Sequence, residues 1–131
     1  MDTLIIEKKN EVYITVDCDP NIQRELSEFF TFYVPGYKFM PAFRNRMWDG
    51  KIRLYSQKTK EIYFGLYPYI RAFAEERGYQ IVTGKDVEIE NKVDKDIVTK
   101  FSNSLGQSFE ARDYQIDAIY HSLKYNRTLL L

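Results

Sequence analysis

One cysteine, one histidine and no net charge among 131 residues remove several functional classes at the outset. Cys18 has no partner for an internal disulfide, so the chain reads as intracellular and reduced, and the thiol as a small core residue. His121 has neither a cysteine nor a second histidine near it, which argues against a metal site. Asp17 and Asp19 flank Cys18, but Asp19 reads better as a helix cap than as an ion ligand. No apolar run approaches the ~18–20 residues that span a bilayer, and Met1-Asp2 leads straight into a strand-like run without the basic start of a secretory leader. No membrane partner is expected. The chain has no internal repeat and no low-complexity tract. It also lacks a Ser/His/Asp grouping at a recognisable elbow, and nothing in it suggests covalent or acid–base catalysis.

Aromatic residues are abundant instead, at 16% of the chain, with 11 Tyr, 9 Phe and 1 Trp. Rings at this density can fill a core, form a binding face, or do both. The zero net charge hides an uneven distribution. Between Gly36 and Lys60 stand Lys38, Arg44, Arg46, Lys51, Arg53, Lys58 and Lys60 against the single anion Asp49. Such local polarity in a neutral chain points to one basic surface.

Hydrophobic periodicity predicts strands at Thr3–Lys8 and Val12–Asp17, joined at Lys9-Asn10-Glu11. Asp19-Pro20 is a helix start, and Ile22, Leu26, Phe29, Phe30 and Tyr33 form one apolar stripe running to Pro35-Gly36. A short strand is expected over Tyr37–Met40 and a loop over Pro41–Trp48. After the Asp49-Gly50 turn, Lys51–Ser56 and Glu61–Phe64 read as a hairpin joined through Gln57–Lys60. A second helix is expected over Leu66–Arg77, stopped by Gly78, with a strand over Tyr79–Thr83. A polar linker lies at 85–92. Further helices are expected over Val93–Asn103 and Arg112–Lys124, and Thr128–Leu131 reads as the start of a strand. Residues 1–84 are therefore expected to form an α/β (α+β) domain, a small antiparallel sheet with two helices on one face.

Two segments carry chemistry. Around Asp49-Gly50, Arg44 and Arg46 alternate, as do Lys51 and Arg53. On an extended backbone each pair shares one face, with Ile52 and Leu54 directed into the core. Such a face neutralises phosphates and releases counterions, while Trp48 or Phe43 stacks on a base or wedges between base pairs. The same pattern also fits an ordinary solvated hairpin with a buried Trp48. The second segment is Arg112-Asp-Tyr114-Gln115. A Gln amide can pair bidentately with adenine while a neighbouring ring or guanidinium stacks on it. A plain amphipathic helix with Gln115 on its wet face fits as well.

Together the segments add a resemblance. Phe29-Phe-Thr-Phe32, Pro35-Gly-Tyr-Lys-Phe39, Phe43-Arg44, Trp48-Asp-Gly-Lys-Ile-Arg-Leu54, Phe64-Gly-Leu66 and Gly78-Tyr79 resemble the N-terminal region of the UvsW-type recombination helicases of T-even bacteriophages, in helicase superfamily 2. Tyr114-Gln115-x-x-Ala118 continues it toward the first ATPase strand. The resemblance implies a DNA-binding accessory domain over 1–84, and over 93–131 the helical beginning of a RecA-like motor, stopping short of the Gly-x-x-x-x-Gly-Lys-Ser/Thr loop. It implies unwinding of branched DNA in recombination, replication and repair, and action on RNA–DNA hybrids. It also implies phage recombination proteins as partners and a place in the cytoplasm of the infected bacterium. ATP and Mg are implied for the longer protein, with Gln115, Tyr114 and Arg112 at the adenine. None is expected bound to these 131 residues, which should not hydrolyse ATP without a phosphate cradle. The expected DNA contacts are Lys38, Arg44, Arg46, Trp48, Lys51, Arg53 and Lys58. The alternative is a protein–protein docking module of a phage replication or recombination assembly, with aromatic anchors and a cationic rim.

Overall fold

The chain begins with a tight hairpin. Strands β1 (Thr3–Lys8) and β2 (Tyr13–Asp17) pair antiparallel, with Ile6 opposite Val16. Asn10 makes the turn between them, because its Oδ1 accepts from the backbone N–H of Val12 at 2.8 Å and of Tyr13 at 2.7 Å. The computed structural model describes residues 2–87, 91–125 and 127–131. Among these are two compact units, Met1–Val87 and Glu88–Leu131. Residues 88–90 of the expected linker and Asn126 lie outside the described residues.

In the first unit, Asp19 caps helix α1 (Pro20–Phe29), its carboxylate accepting from Asn21 N–H at 3.0 Å. The helix is shorter than its apolar stripe predicts. The Thr31 hydroxyl takes the Ser27 carbonyl, and residues 31–33 leave the helix to form strand β3 (Thr31–Tyr33). Strand β3 pairs antiparallel with β4 (Lys51–Arg53), matching Phe32 with Ile52 and Tyr33 with Lys51. Thr, Phe and Tyr are good strand formers, so a partner 20 positions away in sequence outweighs the helical period. Tyr37–Phe39 is a 3-10 turn, not a strand, and Pro41–Arg44 is one turn of helix, α2, where a loop was expected.

The expected hairpin of Lys51–Ser56 with Glu61–Phe64 is also absent. Strand β5 (Glu61–Tyr63) pairs with β2, placing Ile62 opposite Ile14. Only the tight turn at its base survives, with Lys60 N–H donating to Ser56 O at 2.7 Å. Tyr55 explains the separation. It is fully buried, and its hydroxyl donates to Val16 O at 2.9 Å, so the segment after β4 turns into the core instead of running along β5.

A 3-10 turn at Phe64–Leu66 leads into α3 (Tyr67–Arg77), which Gly78 terminates at φ 71°. Helix α3 returns the chain across the sheet to β6 (Gln80–Thr83). Strand β5 already runs in the direction of β1, because both are antiparallel to β2. A helical crossover preserves direction, so β6 pairs parallel with β1. The four-stranded sheet has the order β5-β2-β1-β6 and is mixed, not purely antiparallel as the sequence suggested.

Alternation along these strands turns Leu4, Ile6, Ile14, Val16 and Ile62 to one face, where they are buried with Ile22 and Leu26 of α1 and Ile70 and Phe73 of α3. Each contributes about 1.5–3 kcal/mol of apolar burial. Both helices thus cover one face, as expected. The Arg77 guanidinium caps this layer 4.2 Å from the Phe73 ring centre. Cys18 is half-buried, and burial, aided by the charges of Asp17 and Asp19, pushes its thiol to about 11.

In the second unit, α4 (Lys95–Ser104) is capped by Asp94, which accepts from Asp96 N–H at 3.0 Å. Its Val98 is buried, as is Ile116 of α5 (Asp113–Lys124). Lys95 pairs with Asp117, and Asn91 fastens the end of α5 through Nδ2 to Leu123 O at 2.9 Å. Thr128–Leu131 is not a strand, and Leu129, Leu130 and Leu131 are exposed. A strand needs at least one hydrogen-bonded neighbour, and none pairs with this segment among the described residues. No helix among the described residues is long and apolar enough to cross a membrane.

Candidate nucleic-acid interface

The basic segment forms an excursion closed at its base. Val34 N–H donates to Gly50 O at 2.9 Å where β3 and β4 meet. Gly36, at φ 73°, opens the 3-10 turn, and Pro41 starts α2. Arg46 takes a left-handed φ of 57°, and Met47 N–H then returns to Ala42 O at 2.9 Å. Tyr37 fills the inside. Its ring stacks on Tyr33 at 4.8 Å and meets the edge of Phe43 at 4.9 Å. It also lies so close to Gly50 that a Cβ there would come within 2.3 Å of the ring, at a φ of 81° that favours glycine in any case. Trp48 is half-buried, and its Nε1–H donates to Lys51 O at 3.0 Å.

Two clefts display the cations. One of about 480 Å³ is lined by Arg44 and Arg46 with Phe43, Met47, Trp48 and Asp49. The other, of about 410 Å³, includes Lys51 and Arg53 with Thr31 and Tyr33. Lys51 and Arg53 share a face through strand alternation, as predicted, and Lys51 Nζ stands 5.0 Å from the centre of the Tyr33 ring. Arg44 and Arg46 reach a common cleft by a different route from the expected extended backbone. Arg44 ends α2, and the left-handed residue Arg46 reverses the chain. Ile52 does not enter the core. It is 50% exposed beside Phe32, because the two-stranded ribbon leaves that face open. Lys38 is exposed on the 3-10 turn, and Lys58 sits in the 57–60 turn outside both clefts.

Two cations of the segment are neutralised within the fold. Arg53 pairs with Asp49, and Lys60 with Asp17 at 2.7 Å. The Arg53 guanidinium and then the Lys51 N–H hold the Asp49 carboxyl below the usual carboxylate range, and Asp49 raises Arg53 in turn. Among the described residues, Lys38, Arg44, Arg46, Lys51 and Lys58 pair with no carboxylate. Sequence reading missed the Tyr33–Tyr37 stack and the exposure of Phe39 and Met47. The Pro35-Gly36 turn was the signal that Tyr37 folds back.

Arg112, Tyr114 and Gln115 stand together at the start of α5, all exposed. Gln115 Oε1 accepts from the Arg112 N–H at 3.0 Å, the reciprocal half of a capping arrangement. That bond leaves one lone pair on Oε1 and both Nε2 protons for a ligand. These residues suit the edge and face of an adenine, but no phosphate cradle accompanies them in the sequence. Among the described residues, no three His, Cys, Asp or Glu side chains group to hold a metal ion.

Known proteins share this fold. The ATP-dependent DNA helicase uvsW of Enterobacteria phage T4 is 28% identical over 123 residues, which are 90% of this chain and 24% of the relative. The chain thus spans about a quarter of that relative's length. A crystal structure of the UvsW helicase from bacteriophage T4 superposes with a TM-score of 0.82 at 27% identity, over 97% of this chain and 46% of that one. Another crystal structure of T4 UvsW gives 0.83 at 27% identity, over 97% of this chain and 26% of its own. Residues 5–84 match the family described as DNA helicase UvsW, N-terminal. The chain therefore belongs to the UvsW helicase family, of which it carries the N-terminal region.

Proposed function

We propose that the first unit is the DNA-binding part of an ATP-dependent helicase that acts on branched DNA in phage recombination, replication and repair inside the host cell. The carrying observation is the set of Lys38, Arg44, Arg46 and Lys51, four cations without carboxylate partners among the described residues, on one ribbon and its excursion. In a neutral chain, such a concentration favours a polyanion. Arg44 and Arg46 present planar guanidinium forks to phosphate oxygens, and Lys51 a point charge steadied over Tyr33. Phosphate contacts of this kind fix orientation without reading sequence, and they suit an RNA–DNA hybrid as well as duplex DNA. In the longer protein, ATP and magnesium would supply the free energy for unwinding. Here Gln115, Tyr114 and Arg112 would hold only the adenine.

The test is the affinity of the chain for duplex DNA, followed by fluorescence anisotropy across a salt series. Each neutralised phosphate contributes about −0.9 to the slope of log K against log salt. Arg44→Ala with Arg46→Ala should flatten the slope by about 1.8 if each holds one phosphate. Arg46→Gly is a useful companion, because glycine accepts the left-handed backbone and removes only the cation. Absence of binding at low salt refutes the reading.

A further inference from the structure

The excursion between Val34 and Gly50 carries two large apolar side chains that the fold does not bury. Phe39 is 78% exposed and Met47 is 82% exposed. Neither lies on a loose loop. Phe39 N–H donates to Gly36 O at 3.0 Å, and Met47 N–H to Ala42 O at 2.9 Å, so the backbone holds both side chains outward. Each directly follows a cation without a carboxylate partner among the described residues, Lys38 before Phe39 and Arg46 before Met47. The rings that the sequence offered for base contact, Trp48 and Phe43, are committed elsewhere. Trp48 is bonded to Lys51 O, and Phe43 packs on Tyr37.

An apolar tip with a cation at its root complements a nucleic acid whose base stack is interrupted. The cation meets phosphate, and the tip meets an uncovered base face or enters the gap between base steps. A continuous duplex offers the phosphates but makes the tip pay for unstacking first. Resting on the DNA-binding reading above, we propose that Phe39 and Met47 form a wedge that reads broken stacking, so that this surface selects forked DNA over continuous duplex. A protein partner would use the same tips as anchors, but the flanking cations favour a polyanion.

The experiment compares a forked and a continuous duplex of equal phosphate number at fixed salt, with a fluorescent adenine analogue at the fork. The chain should prefer the fork about tenfold and change the analogue's fluorescence. Phe39→Ala with Met47→Ala should abolish both the preference and the fluorescence change, while the salt slope on continuous duplex, which the cations set, stays as it was. Both side chains are exposed, so far-UV circular dichroism and the urea midpoint should match the parent. Equal affinity of the parent chain for the two DNAs overturns the wedge and leaves the phosphate grip standing. A variant that keeps the full fork preference also overturns it. Failure of the parent chain to bind either DNA overturns wedge and grip together.

Discussion

Gly50→Ala tests whether the excursion is held by packing or merely tethered at its ends. The new methyl would lie 2.3 Å from Tyr37 Cδ2 and 2.8 Å from Cγ, far inside the ~3.5–4.0 Å of a normal carbon contact. The ring cannot retreat freely, because Tyr33 stacks on it and Phe43 abuts it. Overpacking of this kind costs roughly 1–3 kcal/mol. The left-handed φ of 81° adds about 1–2 kcal/mol for a residue with a Cβ. The total of about 2–5 kcal/mol is a large part of the margin of a small unit, at roughly 0.05–0.15 kcal/mol per residue. Gly36→Ala is the control. Its φ of 73° is nearly the same, but nothing lies within 4 Å, so only the backbone cost applies. Urea unfolding followed by Trp48 fluorescence should therefore place Gly50→Ala below Gly36→Ala by about 1–3 kcal/mol. Two midpoints within ~0.5 kcal/mol of each other would refute the packing argument.

Asp49→Asn keeps an oxygen for the Lys51 N–H but removes the charge that holds Arg53, so the salt slope on duplex DNA should steepen by about 0.9 as Arg53 takes a phosphate. An unchanged slope would keep Arg53 out of the interface. The same pair gives a pH dependence. Asp49 is held below its ordinary range, so its contribution to stability is complete above the unfolded carboxylate value, about pH 4, and is lost as pH falls through its lowered value. Acid titration of Asp49→Asn should lack that loss. Tyr55→Phe should cost about 0.5–1.5 kcal/mol at neutral pH through the lost bond to Val16 O. Burial raises the Tyr55 phenol, so the stability tied to its protonation is present below about pH 10 and lost above it. Alkaline unfolding of the phenylalanine variant should be less steep, with a residual slope from Tyr13 and Tyr79, which are also shifted upward.

The parts of this fold that were legible in the sequence are those specified by near neighbours. Asn10 makes the first turn, Asp19-Pro20 starts α1 and Gly78 stops α3, each by side-chain or backbone preferences that act within a few residues. The misread parts depend on distant partners. Phe29, Phe30 and Tyr33 fit one helical stripe, yet Tyr33 pairs with Lys51, a contact that periodicity cannot reveal. The pairing of β6 with β1 spans nearly the whole first unit. In the candidate site, the alternation of Lys51 and Arg53 was legible, and most of the remaining geometry was not. Arg44 and Arg46 converge through a helix end and a left-handed turn, and Trp48 is tied to the backbone of Lys51. Exposure of Phe39 and Met47 accompanies Tyr37 taking the inner place, against Gly50, Tyr33 and Phe43.

Strand β1 comes first in sequence but lies inside the sheet, between β2 and β6. A growing polypeptide must therefore keep one flank of its opening strand bare until Gln80–Thr83 arrive to cover it. Trimming the molecule anywhere ahead of Gln80 would leave that flank as a sticky border, open to pairing with another copy. The smallest self-sufficient piece is thus set by a ladder joining its two ends, and the charged tip in the middle can change without touching that seam.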